Sequence, residues 1–552
     1  MSEYIEGGNF ASYILRHAET QPDALALVIP TSWDGDAGQI VEERVTYRGF
    51  AQRTRELMTG FQKLGLQAGD RVIVLFPLSV DLYATVVALW ALGVAVVFID
   101  TGMPPQKIKQ AMETANAKAI VSIHKLLKYR FLLWPLFKIK HKITREKPGL
   151  MLKPFSVLEG GDPTAAPDAV TREAGNEALI SFTSGSTGRP KGANRTHGLL
   201  TEQHIALKNE YPPKEGQVDM TCFPVVALHN LCCGTTTVMP AVDLANPAGV
   251  DPRLIVKQLG DYKINTLTGA PAFVGKVVDE VLKQELSFPG LWQLGCGGAP
   301  VTLELCEKVL KAFPETDSQV IYGSTEAEPM AHASMRDAVT IKGNGYMAGK
   351  LAKCTTMELV NLPKELPTIE KDGLSAYRVD DGAMGEICVA GPHVNPGYID
   401  NPAANRETKI FEPDGVVWHR TGDLGYFDGD QRLWLVGRVK DRIKYGDRMM
   451  DPFPVEVNLE ADASIARTVV MDGEAFPHGI LLVQPSSGAE SEKLALEVSR
   501  RVLAENNCPE MVVNLIETIP VDARHNSKVD RPKLRSWLSN NYQGPDAWLR
   551  GE

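Results

Sequence analysis

Between Arg71 and Ile123 the chain alternates short apolar runs with longer amphipathic stretches, and that alternation sets the expected architecture. Arg71–Phe76, Ala95–Asp100 and Ala119–Ile123 are runs of strand length, and Val80–Leu92 and Pro105–Ala115 between them are of helix length. Strand–helix–strand spacing of this kind predicts parallel sheet with right-handed crossovers. The pattern returns later, with strands at Lys263–Thr268, Leu291–Leu294 and Gln319–Tyr322 separated by helices at Phe273–Leu282 and Thr302–Phe313. Each of these strands runs out into a polar or glycine-rich loop: Thr268-Gly-Ala-Pro271, Gly295-Cys-Gly-Gly-Ala-Pro300 and Gly323-Ser-Thr-Glu326. Ligands of open parallel sheets sit outside the carboxyl ends of the strands, so the three loops are expected to share one site.

From Gly345 to Arg438 the text changes to short strands with turn signals, at Met357–Val360, Gly385–Ala390, Val416–His419 and Leu433–Gly437. After Lys440 it changes again, with strands expected at Arg467–Met471, Ile480–Val483 and Val512–Ile516 and helices near Glu492–Ala504 and Pro532–Trp537. That tail, about 110 residues long, is large enough to be a small domain. The expected fold class is therefore α/β. A large N-terminal domain, residues 1–438, combines parallel-sheet α/β subdomains with a β-rich subdomain, and a small mobile α/β domain follows at 439–552.

One segment breaks the α/β pattern. From Lys125 to Lys147 eight Lys/Arg and a single acid, Glu146, surround the apolar Phe131-Leu-Leu-Trp-Pro-Leu-Phe137, where Pro135 interrupts any helix. Seven apolar residues cannot cross a bilayer, but aromatic and aliphatic groups flanked by lysines suit an interface. The insert, about 124–150, is expected either to touch a membrane surface or a partner protein, or to pack on the chain's own surface with its basic ends solvated. Residues 159–177, with Gly, Pro, Ala and Asp, read as a linker.

Composition narrows the class further. At 552 residues the chain exceeds one ordinary core. Its 44% hydrophobic and 23% charged residues are those of a globular protein, and a net charge of −10 argues against a general nucleic-acid binder. Eight cysteines show no Cys-x-x-Cys pair and no zinc spacing, so they read as buried thiols of a reducing compartment. The N-terminus carries no basic-then-apolar signal, and the expected location is cytoplasmic, with a peripheral membrane contact through the insert.

The chemistry starts at Ile180-Ser-Phe-Thr-Ser-Gly-Ser-Thr-Gly-Arg-Pro-Lys-Gly-Ala193. The apolar run Ala178–Phe182 is a strand that empties into a loop with Gly185, Gly188 and Gly192, the hydroxyls of Thr183, Ser184, Ser186 and Thr187, and Lys191. Glycines let backbone N–H groups converge on a polyanion, hydroxyls add donors and a lysine adds charge, so the loop suits phosphate. It is not a Walker loop: the spacing differs, and Pro190 would hinder a helix running through Lys191.

Thr-Ser-Gly-Ser-Thr-Gly-Arg-Pro-Lys-Gly resembles the signature of the adenylate-forming superfamily of acyl-CoA synthetases, adenylation domains and luciferases, and the resemblance runs in motif order along nearly the whole chain. It implies ATP and Mg2+ as cofactors, with the loop on the pyrophosphate while a carboxylate attacks the α-phosphorus. Tyr322-Gly-Ser-Thr-Glu326 matches the family's Tyr-Gly-x-Thr-Glu, which implies Tyr322, Gly323 and Ser324 against the adenine, Thr325 on the α-phosphate and Glu326 on the metal, a hard cation that takes oxygen ligands. Gly298, Ala299 and Pro300 correspond to the strand end that walls the adenine. Arg420-Thr-Gly-Asp423 matches a turn whose aspartate accepts from the ribose hydroxyls; an ionised carboxylate can take two donors. Arg438 would also reach ribose, with Lys440 as the hinge. Phe223-Pro-Val-Val-Ala-Leu-His229-Asn resembles the acyl-pocket segment, where His229 is a candidate catalytic or gating residue beside the alternative of a structural histidine. Finally Pro520-Val-Asp-Ala-Arg-His-Asn-Ser-Lys528 resembles the closing motif whose lysine bridges carboxylate and α-phosphate, with Ser527 in place of the usual glycine.

The acceptor of the acyl group is the open point. Thioester-forming members read Lys-Tyr-Lys-Gly after the hinge and then Pro-x-Glu-x-Glu; here the glycine, Gly446, falls one place early and Pro454 stands in for a glutamate. Residues 221–228, 322–330 and 520–528 are more similar to the olefin β-lactone synthetases. That resemblance implies adenylation of a long-chain 2-alkyl-3-hydroxy acid and ring closure by its own hydroxyl. A fatty acyl-CoA or acyl-AMP ligase is the second possibility, and an inactive acyl-nucleotide binding protein the third.

Overall fold

The computed structural model describes residues 8–131, 133–146, 149–183, 189–244, 246, 249–362, 373–473, 475–486, 488–521 and 529–541. Its architecture is α/β. A seven-stranded sheet runs in the order Lys153–Pro154, His141–Thr144, Ala119–Ser122, Arg71–Leu75, Ala95–Ile99, Glu177–Thr183, Lys191–Thr196. All pairs are parallel except the last, which is a hairpin. The interior strands are continuously apolar because helices cover both faces of a parallel sheet.

The helix Val80–Ala91 shows why the layers hold. Ser79 caps it by accepting from the Leu82 N–H at 3.2 Å. Ten of its twelve residues are buried, so it is apolar on every side, as a helix enclosed by other elements must be. Trp90, fully buried, donates its indole N–H to the Ala178 carbonyl at 2.8 Å and so ties the helix to the strand leading into the phosphate loop. The same core cluster takes in Leu27 and Ile29 of a second, larger sheet.

That second sheet has fourteen strands. Val218–Thr221, Thr266–Gly269, Gln293–Gly297 and Asp317–Ser324 are parallel neighbours. Asp317–Ser324 then turns back antiparallel into Ala327–Ser334, and the antiparallel strands that follow, Tyr346–Leu351, Leu433–Arg438, Val417–Phe427, Gly385–Ala390 and Thr356–Val360, extend the same sheet. The β-rich region expected from Gly345 onward is thus a continuation of the parallel sheet. The region also differs at Arg420–Asp423, which was expected as a turn and lies inside the strand Val417–Phe427: Gly422 takes φ +71°, but backbone pairing to Gly385–Ala390 and Leu433–Arg438 keeps the strand running.

The insert divides by residue. His141–Thr144 is a fully buried strand of the seven-stranded sheet; Leu127, Leu136 and Ile139 join one core cluster of that sheet, and Ile143 joins the cluster around Trp90. Lys142, counted among the solvated cations in the sequence, is buried and donates to the carbonyls of Phe137, at 3.1 Å, and Ile139. Tyr129, Trp134 and Phe137 face outward; Trp134 and Phe137 stack at 5.7 Å with Lys138 over the indole. Among the described residues no helix is long and apolar enough to cross a membrane.

Past Glu460, Ile465–Gly473 pairs antiparallel with Phe476–Pro485, which pairs parallel with Val512–Leu515. Alternation sorts the side chains: Val470, Leu481 and Val483 pack with the helix Ala489–Glu505, while Val469, Met471, Ile480 and Leu482 pack with Leu534 and Leu538 of the helix Arg531–Asn541. One sheet therefore supports two small cores.

Candidate active site

Two contacts tie the strand Lys191–Thr196 to the candidate residues of the larger sheet: Ala193 bridges to Tyr398, and Arg195 donates to the carbonyl of Thr325 at 3.0 Å. Thr183 and Lys191 are paired across the hairpin that carries the phosphate loop; Ser184, Gly185, Ser186, Thr187 and Gly188 lie outside the described residues. The Lys191 ammonium stands 3.6 Å from Glu407 and over the ring of Tyr398, at 5.5 Å. Thr325 and Glu326 form the tight turn between Asp317–Ser324 and Ala327–Ser334, with Ser324 paired to Ala327. Gly298, Ala299 and Pro300 follow directly on the strand Gln293–Gly297. Gly298 needs its glycine: its φ is +84°, a conformation closed to most side chains.

Asp423 and Arg438 are cross-strand partners, and the Arg438 Nε–H donates to Asp423 Oδ1 at 2.8 Å. The Tyr322 hydroxyl donates to the other carboxylate oxygen, also at 2.8 Å. Three residues from three strands, assigned separately to adenine and ribose, are therefore one hydrogen-bonded unit. The charge of Asp423 holds Arg438 above its ordinary pKa against the effect of burial. Lys440 sits in the short 3-10 turn Val439–Asp441 directly after, its pKa lowered by burial.

Glu326 has its own supporting shell, which sequence reading missed. The Tyr398 hydroxyl donates to Glu326 Oε1 at 2.7 Å. Lys409 and His419, cross-strand partners of each other, lie within electrostatic reach. Burial opposes ionisation of Glu326, but His419, the Tyr398 hydroxyl and Lys409 more than offset it and hold the carboxyl below the usual range. Burial pushes His419 itself down to about 3, so the standing positive charge beside Glu326 at neutral pH is that of Lys409, whose own burial brings it to about 8. Lys409 also donates to the Asn395 carbonyl, and its ammonium is 5.7 Å from the Tyr398 ring, which Lys191 also approaches. A carboxylate kept ionised in a half-buried turn, with one oxygen held by a hydroxyl, is a suitable ligand for a hard cation such as Mg2+.

A family model described as "AMP-binding enzyme" matches residues 14–399. The chain belongs to that family. It is 28% identical to an olefin β-lactone synthetase of Stenotrophomonas maltophilia over 96% of this chain and 98% of the relative. A 4-coumarate–CoA ligase-like protein of Arabidopsis thaliana is 23% identical over 87% of this chain and 85% of its own length. Among solved structures, an anthranilate CoA ligase in complex with anthranoyl-AMP has a TM-score of 0.78 over 98% of both chains at 17% identity, which shows a common fold. The protein is thus an AMP-binding, adenylate-forming enzyme that uses ATP.

Two sequence candidates of this AMP-binding enzyme remain. Lys528 lies outside the described residues; a bridge between Val521 and Val529 brackets its segment. Just beyond, Arg531 approaches Asp441, next in sequence to Lys440, at 3.5 Å and Glu456 at 3.6 Å. His229 lies on the helix Pro224–Cys233 and lines a cavity of ≈ 50 Å³. Its Nδ1 faces Nδ1 of His204 at 3.1 Å and its Nε2 faces the Cys233 thiol at 3.5 Å. Burial lowers its pKa to about 4, so the ring is neutral at pH 7 with both nitrogens already engaged by the protein.

Two further residues were missed. Arg195, on Lys191–Thr196, donates to the carbonyl of Thr325 at 3.0 Å, and Glu328 follows the Glu326 turn on Ala327–Ser334; both line the same cavity. The available signal was a charged residue in otherwise apolar strand text, Ala327-Glu-Pro-Met-Ala331.

Proposed function

We propose that this enzyme adenylates a long-chain 2-alkyl-3-hydroxy acid with ATP and lets the acid's own hydroxyl attack the acyl carbon, giving a β-lactone, AMP and pyrophosphate. The observation that carries the reading is its likeness to an olefin β-lactone synthetase along nearly the full length of both chains. In this reading residues 1–438 bind ATP and the acyl group, residues 439–552 bring in Lys528, and Lys440 is the hinge. Thr183, Lys191 and the loop residues 184–188 hold the pyrophosphate. Tyr322, Gly323, Ser324 and residues 298–300 take the adenine, and Asp423 with Arg438 the ribose. Thr325 contacts the α-phosphate.

Glu326 would hold Mg2+, which when bound neutralises phosphate charge. Lys528 draws the carboxylate and α-phosphate together; a fixed cation aimed at developing charge lowers a barrier by about 3–4 kcal/mol. The second step needs no external nucleophile. The hydroxyl oxygen bonds to the acyl carbon, its proton is taken by a base for which the neutral His229 is the candidate, and the carbon–oxygen bond to AMP breaks with the electron pair going to the phosphate oxygen. Holding hydroxyl and carbonyl together is worth an effective molarity of about 10⁵ M or more, which offsets part of the ring strain. His229 remains the candidate gate of the acyl pocket.

A thioester-forming ligase is the second reading, supported by the 4-coumarate–CoA ligase-like relative. Product mass separates them: a 3-hydroxy acid with ATP should give lactone and AMP with CoA absent, and its 3-deoxy counterpart should stall as bound acyl-AMP. Faster conversion of the deoxy acid to a thioester when CoA is added would replace the lactone reading.

A further inference from the structure

The cavity beside the Thr325–Glu326 turn is apolar along most of its wall, through Phe10, Trp90, Leu200, Leu207, Val226 and Leu228. Its polar exceptions include two full charges, Arg195 and Glu328. Arg195 is 7% exposed and spans the wall to the reacting end, with one Nη donating to the Thr325 carbonyl at 3.0 Å and the other 3.4 Å from the Ser181 hydroxyl. Its Nε–H is buried without a partner. Among the described residues no hydrogen bond or ion pair reaches the Glu328 carboxylate, and Arg195 is the only cation that offsets its burial. A buried guanidinium and a half-buried carboxylate that face one cavity without an ion pair between them call for a polar group between or beside them.

We propose that Arg195 and Glu328 form a subsite that reads a hydroxyl on the acyl chain. The proposal rests on the adenylating reading above, in which the acyl group enters this cavity. A hydroxyl suits the pair because it is donor and acceptor at once, giving its proton to the carboxylate and taking one from the guanidinium. A second anion does not suit it, since Arg195 already feels two carboxylates, Glu328 and Glu326. The aliphatic wall demands a hydrocarbon around the hydroxyl. Because Arg195 bonds the carbonyl of Thr325, the hydroxyl so held lies near the activated carboxyl, as a substituent a few atoms along the chain would. Both residues are positioning and specificity groups in this scheme.

The test compares kcat/KM for pyrophosphate release with a 3-hydroxy acid, its 3-deoxy analogue and its 3-fluoro analogue, which is similar in size but has no proton to give. The unaltered enzyme should favour the hydroxy acid about 10- to 100-fold, the range of a hydrogen bond to a charged group, with the fluoro acid falling beside the deoxy acid. In Glu328→Met the hydroxy-to-deoxy ratio should collapse toward one whatever the absolute rates, and Glu328→Gln, which keeps volume and polarity, should restore part of it. A ratio near one in the unaltered enzyme, or a ratio unchanged in Glu328→Met, overturns the subsite. Product mass read in the same reactions keeps the two ideas apart. A hydroxyl preference lost in Glu328→Met alongside thioester products would retain the subsite and remove the lactone reading, and failure to adenylate any of the acids would remove both.

Discussion

Replacing Tyr398 by phenylalanine isolates one hydrogen bond of the site. The ring stays, and with it the faces approached by Lys191 and Lys409; only the hydroxyl that donates to Glu326 Oε1 at 2.7 Å is lost. A hydrogen bond to an ionised acceptor contributes about 1.5–3 kcal/mol. Since one pKa unit is about 1.4 kcal/mol, the Glu326 pKa should rise by about 1–2 units. The direction follows from the present balance, in which burial raises that pKa while His419, Tyr398 and Lys409 lower it further than burial raises it. A carboxyl whose folded pKa is depressed stabilises the fold above its unfolded pKa and loses that contribution as pH falls through the folded value. The variant should therefore be less stable than the parent at neutral pH, and the deficit should close in acid. The kinetic readout is kcat/KM for ATP against pH, which reports the free enzyme. Its acid limb should move to higher pH by the same 1–2 units, about one order of magnitude or two in rate where the limbs separate. An acid limb that stays in place or moves to lower pH would show that Glu326 does not depend on Tyr398, and that the proposed metal carboxylate is held by other groups.

Lys528→Ala should bind ATP nearly as the parent does and form acyl-AMP about 10²–10³-fold more slowly, measured by pyrophosphate release; normal release would remove Lys528 from the reaction. Trp134→Ser with Phe137→Ser, at two exposed stacked rings on the basic insert, should reduce sedimentation with anionic vesicles, and parent binding should weaken with salt; equal sedimentation of both proteins would leave the insert as a surface-packed segment. His197, fully buried with its Nδ1 accepting from the Phe10 N–H at 3.1 Å, has its pKa lowered by burial to about 4. The unfolded chain takes up that proton first, so thermal stability should fall from the ordinary histidine value of 6.5 down toward 4, less steeply in His197→Asn.

The sequence was most legible where one local period decides the outcome. Arg71–Leu75, Ala95–Ile99 and Pro105–Ala115 stand within a residue of their expected bounds, because uninterrupted apolar runs and a proline at the first helical turn leave little choice. Arg420–Asp423 misled because the motif it matches implies a turn, and only the two neighbouring strands, from distant sequence, show that pairing continues. Candidate nucleotide residues could be proposed from motifs, but the hydrogen bonds between them could not: Tyr322 meets Asp423 across 101 positions. Residues with no motif stayed hidden for the same reason. Tyr398 reaches Glu326 across 72 positions and Arg195 reaches Thr325 across 130, and nothing local in either stretch of text marks the contact.

The segment that departs from the thioester-forming pattern is well anchored. Tyr445 and Arg448 pair across a two-residue hairpin, and Gly446 occupies its first loop position with φ +58°, so the glycine stands where the turn requires one. Pro454 falls in the first turn of the helix Phe453–Glu460, where the N–H it lacks would have had no helical partner. Two residues on, Glu456 is buried, accepts from the Val470 N–H at 2.9 Å and faces Arg531, which keeps the helix docked against the small sheet. The changes therefore alter the chemistry that this helix start presents, with a pyrrolidine ring where the thioester-forming pattern has an acid, without loosening the backbone beneath it. A segment degraded by drift would show unpaired turns or a frayed helix. This one shows each unusual residue in a position whose backbone geometry favours it, Gly446 at a positive φ and Pro454 in the first turn of a helix.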